Sequence, residues 1–390
     1  MQIILNENTD DVKNYFPFSA THLIWEIRCG ALRLFEKIAN YFPNCNIYYE
    51  TADNFRLNAF LSRELFQNIS SQEKSILEFF IPILIDEKIS KIMLETIKLN
   101  KDCVIYFHSS KRKYATYFPD VSTRKQSSHT KYKEIEIDNV KFINYLWDVL
   151  DYQTTEIKND LPFLKNLSQI SDNLFVGKDT KISDNVVLDT NQGYIIIDDE
   201  AQITPNSTIL APCYIGKNTK IKIGAKIYEN CSFGENCKIG GELENTIFHN
   251  YSNKQHDGFL GHSYIGEWVN IGAGTNNSDL KNNYSKISVQ LYDNTIHTDR
   301  LFLGLMCGDH TKISINSTLA TGSVFGAFSM FAQSGFSPKF LPDFSWLASY
   351  NKIEKYDFEK AIKTAEIVLK RRNKKLTDEE KKLYLSLYEK

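Results

Sequence analysis

The stretch "IGKNTKIKIGAKIYENCSFGENCKIG" (Ile215–Gly240) puts an isoleucine or phenylalanine at every sixth position: 215, 221, 227, 233 and 239. Helices repeat near 3.6 residues and strands at 2, so neither produces this stride. The residue after the apolar one is often glycine or aspartate. Four places on sits a slim residue: Thr219, Ala225, Cys231, Cys237. Six residues with one inward apolar side chain make one flat side of a triangular coil, and three sides make one turn. The pattern therefore predicts a left-handed parallel β-helix of hexapeptide repeats. Working outward, the same stride runs back through Ile209, Ile203 and Ile197, and, after an offset, Leu188, Ile182 and Val176. It resumes at Ile265–Ile271 and at Cys307, Ile313, Leu319, Phe325 and Phe331. Gly240–Tyr264 and Asn276–Gly304 lack the beat, and are expected to loop out of the prism or run along it loosely.

The rest of the chain bounds the setting. At 390 residues it has room for two or three domains, and its 24 % charged, 42 % hydrophobic composition is that of an ordinary globular protein. A net charge of −2 gives no electrostatic footprint for nucleic acid. The longest apolar run, "FFIPILI" (Phe79–Ile85), is too short to span a bilayer. "MQIILNENTDD" lacks a secretory signal. Seven cysteines without a CxxC pair argue against a disulfide scaffold and a zinc site. A cytoplasmic protein with no membrane partner, no nucleic-acid partner and no resident metal is the expectation.

Three parts are expected: an α/β domain over 1–170, the β-helix over 171–345 and C-terminal helices over 346–390. In the first, "MQIIL" and "DCVIYFH" (Asp102–His108) read as strands, and "ILEFFIPILIDEKISKIMLETIKL" has helical spacing. "KYKEIEIDNVKFINYLWDVLDY" reads as a charged strand followed by an amphipathic helix. The polar, basic "SSKRKYATYFPDVSTRKQSSHTKYKE" reads as a solvated or mobile insertion. In the tail, "FEKAIKTAEIVLKRR" has helical spacing with a basic end. Thr377 and Glu380 form a capping box for a second helix. "KRRNKK" (Lys370–Lys375) reads as a helix end and polar turn, with an anion or CoA patch as the other reading.

Five of the eight histidines fall at 249, 256, 262, 297 and 310. A neutral imidazole suits proton abstraction from an attacking amine or hydroxyl near pH 7. Taken singly, each such histidine more often caps a loop or fills a turn.

The stretch from about 174 to 345 resembles the acyltransferase half of the bifunctional sugar-1-phosphate nucleotidylyltransferase/acetyltransferases, the group that includes N-acetylglucosamine-1-phosphate uridylyltransferase/glucosamine-1-phosphate acetyltransferase. Members carry a motif like H-x-x-Y-[IL]-G, a hexapeptide turn and "NIGAGT". Here "IGEWVNIGAGT" (Ile265–Thr275) fixes the register, and counting back from Ile265 lands on His256 in "HDGFLG". The resemblance thus implies His256 as the acetyl-transfer base, ahead of the more conspicuous His262. Lys254 lies one place from the family's substrate-phosphate lysine. For the acceptor sugar, the register offers either Asp279 with Lys281, or Asn283-Tyr284 if four residues are inserted. Gly272 and Gly274 are the candidate turn for the thioester, and Lys339 for a CoA phosphate. "GLMCGDHTKISINSTLATGSVFG" (Gly304–Gly326) resembles the family's "GxxxGDxxKxGINxxxxxGxxxG", with Gly308, Asp309, Lys312 and Asn316 in place.

"FSATHLIWEIRCGALRLFEKI" (Phe18–Ile38) resembles a T-R-P-x-x-x-x-R-x-G stretch of shorter, divergent members. Thr21, Arg28 and Gly30 match, and His22-Leu23 replaces the Arg-Pro pair. Arg28 is therefore a candidate nucleotide contact. Better-known members open with a glycine-rich phosphate loop. This chain has no glycine before Gly30, and Asp10 and Asp11 are its candidate Mg²⁺ ligands.

What the resemblance implies is an acetyl-CoA-dependent acyltransferase acting on an amino-sugar phosphate as a homotrimer. Its N-terminal domain would be a much-altered nucleotidyltransferase, using Mg²⁺ only if active. A bifunctional enzyme that makes a nucleotide sugar, and a non-catalytic trimeric assembly protein, are the alternatives.

Overall fold

A computed structural model describes residues 1–7, 10–66, 68, 74–126, 131–292, 294–333, 335–349 and 352–390. The chain forms two compact units. The first comprises residues 1–12, 22–27 and 32–144; the second comprises 13–21, 28–31 and 145–390.

The first unit is built on a six-stranded mixed sheet. Its strands are β1 (Gln2–Asn6), β2 (Asn46–Glu50), β3 (Ile76–Phe79), β4 (Val104–Ser109), β5 (Arg112–Phe118) and β6 (Tyr132–Glu136), in the order β2-β1-β3-β5-β4-β6. β1 runs parallel to β2 and β3, β5 runs antiparallel to β3 and β4, and β6 is parallel to β4. β1 and β3 are interior strands of this sheet, and Gln2–Leu5 and Ile76–Phe79 are buried throughout. Helices α1 (Leu34–Tyr41), α2 (Asn54–Glu64) and α3 (Glu87–Leu99) belong to this unit. Asp53 and Asp86 cap α2 and α3 by accepting hydrogen bonds from first-turn amides.

Two expectations are corrected here. The helical reading of the segment from Ile76 holds only from Glu87, because Ile76–Phe79 and Ile83–Leu84 are buried strands whose continuous apolar run mimics a buried helix. The basic segment is not a solvated insertion, since β5 pairs with two strands and β6 follows. Its residues 127–130 lie outside the described residues.

The second unit contains the parallel β-helix. Short strands stack in three rows. The first row runs from Leu174–Val176 to Phe340–Leu341, the second from Lys181–Ile182 to Ser345–Ser349, and the third from Val187–Asp189 to Phe259–Gly261. Inward residues pair in register along the rows: Ile203 with Ile221 with Ile239, and Ile215 with Phe233. Together with Cys213, Cys231 and Cys237 they form one core. Burial pushes the Cys231 and Cys237 thiols up to about 12, so these cysteines serve as packing groups.

Gly240–Tyr264 does not leave the prism. Glu242–Glu244, Ile247–Phe248, Asn253–Lys254 and Phe259–Gly261 continue the three rows. The beat disappears because these turns are shortened: the inward side chains become Leu243, Phe248, Lys254 and Leu260, and one of them is a lysine. Asn276–Gly304 does leave it. After Asn276–Asn277 pairs with Thr318–Leu319, the chain forms a hairpin (Ser288–Leu291 with Asn294–His297) and re-enters at Met306. Arg300 ties this excursion down by binding Asp151 at 2.7 and 2.5 Å.

One corner of the prism carries an aromatic row. Successive corner residues hold left-handed backbone: Asn218 (φ 54°), Asn236 (59°), Tyr251 (62°), Trp268 (59°), His310 (60°), Phe328 (59°) and Phe344 (53°). Asparagine tolerates this conformation, whereas bulky side chains are strained there by about 1–2 kcal/mol each. Stacking offsets the strain: Tyr251 lies 4.2 Å from Trp268, His310 4.5 Å from Phe328, and Phe328 4.6 Å from Phe344, all nearly parallel. Helix α4 (Gln153–Asp160) precedes the prism; α5 (Phe358–Lys370) and α6 (Asp378–Glu389) follow it. α6 covers the aromatic row, with Tyr384 edge-on to Phe328 and Tyr388 edge-on to Phe344. The Thr377–Glu380 capping box is present, with bonds of 3.2 and 2.8 Å. Among the described residues no helix is long and apolar enough to cross a membrane.

Candidate active site

The site is built where Phe259–Gly261 lies beside Asn276–Asn277. Each asparagine side chain replaces a backbone partner: Asn276 Oδ1 accepts from Phe259 N–H at 2.8 Å, and Asn277 Oδ1 accepts from Gly261 N–H at 2.8 Å. Asn277 Nδ2 donates to Gly261 O at 2.9 Å. Gly274 N–H donates to Asp257 O at 2.9 Å. These bonds hold the His256–His262 segment on the turn that follows Ile271. The approach is tight. A Cβ on Gly258 (φ +118°) would stand 2.1 Å from the Thr275 carbonyl oxygen.

His256 is exposed at this corner, and its ring makes no hydrogen bond among the described residues. Its carbonyl accepts from Lys254 Nζ at 2.9 Å. His262, half-buried with left-handed backbone (φ 46°), meets Asp279 Oδ2 through Nδ1 at 2.8 Å. Its ring stacks on Phe302 at 5.1 Å. A carboxylate on Nδ1 favours the tautomer protonated there, which leaves Nε2 free to accept a proton. Sequence reasoning set His262 aside because register alone does not reveal that the excursion returns Asp279 to it. The other three histidines do different work. His249 is buried beside Phe18 and Tyr264, His310 belongs to the aromatic row, and His297 contacts Ser288 at 3.0 Å on the hairpin.

The remaining sequence candidates scatter. Lys254 occupies an inward position of the second row, level with Ile239, and is 1 % exposed. Its ammonium donates to Gly240 O and His256 O, and burial brings its pKa down to about 8. It therefore anchors the His256 segment from beneath rather than facing a substrate. Lys281 donates to Lys286 O, Asn283 accepts from Ser285 N–H, and Tyr284 is exposed; of the acceptor candidates only Asp279 is joined to a histidine. Lys339 donates to Thr321 O, and burial lowers its pKa.

Packing accounts for both turn glycines. A Cβ on Gly272 would meet Ser314 and Ile315 backbone at 2.5 Å, and one on Gly274 (φ +71°) would meet Asn316 Oδ1 at 2.1 Å. The amides of Gly272, Gly274 and Thr275 are already engaged with Ile313 O, Asp257 O and Gly272 O, so they are not poised for a thioester oxygen.

Arg28 lies within the second unit. It is buried, its N–H donates to the Tyr264 hydroxyl at 2.9 Å, and its guanidinium donates to Ala31 O. Thr21 and Gly30 behave alike: Thr21 donates to Asp309 Oδ2 at 2.9 Å, and Gly30 O accepts from Ser232 Oγ at 2.6 Å. Thr21 and the Arg28–Gly30 segment thus bond to the β-helix within the second unit.

Immediately after β1 stands the buried carboxylate of Glu7. It accepts from Ile24 N–H at 2.9 Å and pairs with Arg56 at 2.9 Å, and burial raises its pKa. Nearby, buried Glu26 binds His22 at 2.9 Å and Arg63 at 3.2 Å. Those cations overcome the opposing effect of burial and hold its pKa near 2. Among the described residues no three His, Cys, Asp or Glu side chains are grouped to hold a metal.

Residues 3–169 match the sequence profile of the sugar nucleotidyl transferase family. The bifunctional sugar-1-phosphate nucleotidylyltransferase/acetyltransferase of Sulfurisphaera tokodaii is 28 % identical over 184 residues, 47 % of this chain and 42 % of that protein. Over that span the chain is similar in sequence to this bifunctional protein. The bifunctional protein GlmU of Methanococcus aeolicus is 26 % identical over 254 residues, 62 % of this chain and 53 % of that protein. That of Thermodesulfovibrio yellowstonii is 31 % identical over 161 residues, 40 % of this chain and 32 % of that protein. The chain thus spans about half or less of the length of these relatives. Among solved structures, the polySia-specific acetyltransferase NeuO is 14 % identical over 48 % of this chain and 88 % of that one, with a TM-score of 0.27.

Proposed function

We propose that this relative of the bifunctional enzymes is an acetyl-CoA-dependent acyltransferase whose acceptor is an amino-sugar phosphate. The observation that carries the reading is the corner at 256–279, where one exposed imidazole and one carboxylate-oriented imidazole sit on a turn anchored from inside the prism. In the reaction the acceptor nitrogen attacks the thioester carbonyl carbon. The N–C bond forms, the C–S bond breaks, and the proton lost by nitrogen passes through a histidine to the departing thiolate. His256 is assigned this proton transfer, because its ring is exposed and unbonded and the motif resemblance implies it as the base. The His262–Asp279 pair supports a second assignment, in which Nε2 of His262 is the base and His256 binds the acceptor. Assembly as a trimer, expected for such prisms, belongs to the same proposal.

Nucleotidyl transfer by the first unit is the less favoured reading. The Glu7 carboxyl group occupies the end of β1, where a triphosphate would lie, and Arg56 already engages it. The carboxylates there, Glu7 and Glu26, are held by Arg56 and Arg63 and do not fit a Mg²⁺ site.

The test is thiol release from acetyl-CoA with a panel of amino-sugar phosphates. Loss of the base should lower kcat by about 10²–10⁴-fold. Such a loss in His256→Ala, with a smaller one in His262→Ala, supports the first assignment, and the reverse order supports the second. Wild-type protein that releases no thiol with any acceptor, while releasing pyrophosphate from a nucleoside triphosphate and a sugar-1-phosphate, would overturn the proposal.

A further inference from the structure

The second row of the prism carries an outward line of residues: Lys220, Lys238, Asn253, Asn270 and Lys312 stand in register on successive coils. The end of α5 comes down on this line, with Arg372 donating to Asn253 Oδ1 at 3.0 Å. Between them lies a cleft of about 300 Å³. Lys238, Lys312, Arg371 and Arg372 line it, Trp268 forms one wall, and none of the lining residues is acidic.

Lys312 is bound within the protein, donating to Trp268 O and His310 O at 2.8 Å each. The side chains of Lys238 and Arg371 have no hydrogen bond or ion pair among the described residues, their amides bonding Ser252 O and Ile367 O. Burial lowers the Lys238 pKa, and the neighbouring cations Arg372, Arg371, Lys222 and Lys220 lower it further. Like charges in register on neighbouring strands oppose folding. A concave site that gathers unpaired guanidinium and ammonium groups is complementary to phosphate, which accepts from several donors at once.

We infer that this cleft binds the phosphate groups of the phosphorylated ligand used at the neighbouring corner. Gln255 lines the cleft and His256 follows it in the chain. A ligand anchored by phosphate on Lys238, Arg371 and Arg372 therefore has its other end directed towards the candidate base. The cleft is sized for a small phosphate ester rather than a macromolecule. The inference rests on the proposed acyl transfer only for the ligand's identity, and the assay needs no turnover.

Inorganic pyrophosphate is titrated into the full chain by calorimetry at low salt. Arg371→Gln/Arg372→Gln should weaken binding by at least about tenfold, and Lys238→Gln by about three- to tenfold. Lys238→Gln removes a half-exposed, unbonded side chain and so leaves the fold intact. Lys375→Gln, in the same basic run but outside the cleft, should stay within about twofold. Competition then separates the sources. Displacement by adenosine 3′,5′-bisphosphate assigns the cleft to the phosphates of CoA, and displacement by glucosamine 1-phosphate assigns it to the acceptor. Absence of pyrophosphate binding to wild type, or wild-type affinity in both cleft variants, overturns the inference. Pyrophosphate binding that depends on these residues in a protein without acyl transfer would keep the cleft and discard the reaction.

Discussion

Lys254→Met should make the protein more stable at pH 7 and less stable at pH 10.5. Lys254 sits inside the prism, and burial moves its pKa from the ordinary 10.5 to about 8. A lysine that holds its proton more weakly when folded opposes folding while both states are protonated. At neutral pH this costs about 3 kcal/mol. As pH rises from 8 to 10.5 the folded chain has released the proton and the unfolded chain still binds it. Wild-type stability therefore climbs through that window. Methionine removes the charge at similar volume but leaves Gly240 O and His256 O without their donor, about 1 kcal/mol each. The variant should gain about 1–2 kcal/mol at pH 7, and the difference should change sign by pH 10.5. Urea unfolding of both proteins at several pH values measures it. A variant less stable than wild type at pH 7, or a difference that does not vary with pH, would refute the reasoning. Because Lys254 holds the His256 carbonyl, the stabilised variant should also be slower in acyl transfer.

Other perturbations test other parts of the structure. Arg63→Ala leaves the buried Glu26 carboxylate short of a cation and should cost about 3–5 kcal/mol in urea unfolding; a loss below about 1 kcal/mol would show that His22 suffices. Thr377→Ala removes the α6 cap, and should cost about 1 kcal/mol while shifting far-UV circular dichroism little. Gly258→Ala forces a Cβ towards the Thr275 carbonyl at an unfavourable φ. It should destabilise by about 2–3 kcal/mol and abolish acyl transfer even where the chain stays folded; unchanged kinetics would separate this segment from the site.

The β-helix was legible wherever its coils keep six-residue sides, because the narrow interior admits only an apolar side chain at each step. Legibility failed where the geometry loosened. From Ile239 the steps to Leu243 and Phe248 shorten, and the inward place then goes to Lys254, whose ammonium bonds carbonyls of its own turn. Periodicity cannot report a lysine there. The pairing of His262 with Asp279 was hidden for a different reason: it depends on how an excursion folds back, which no local spacing encodes. Arg28 was legible as a motif but not as to purpose, since its bond to Tyr264 joins residues 236 positions apart. In the first unit, buried strands and buried helices share one apolar signature, and Ile76–Leu84 was misread accordingly.

The aromatic corner divides the prism into two kinds of module. Coils cornered by Asn218 and Asn236 use turns that any further coil could repeat. From Tyr251 onward each corner ring touches the next, and α6 is fitted to particular rings. Deleting one eighteen-residue coil from the asparagine half should therefore shorten the rod and leave its cap in place. The same deletion between Trp268 and Phe344 would remove the rings on which the cap is seated. Repeat number is thus set by stacked rings at the capped end of the prism, and it is that end that carries the candidate chemistry.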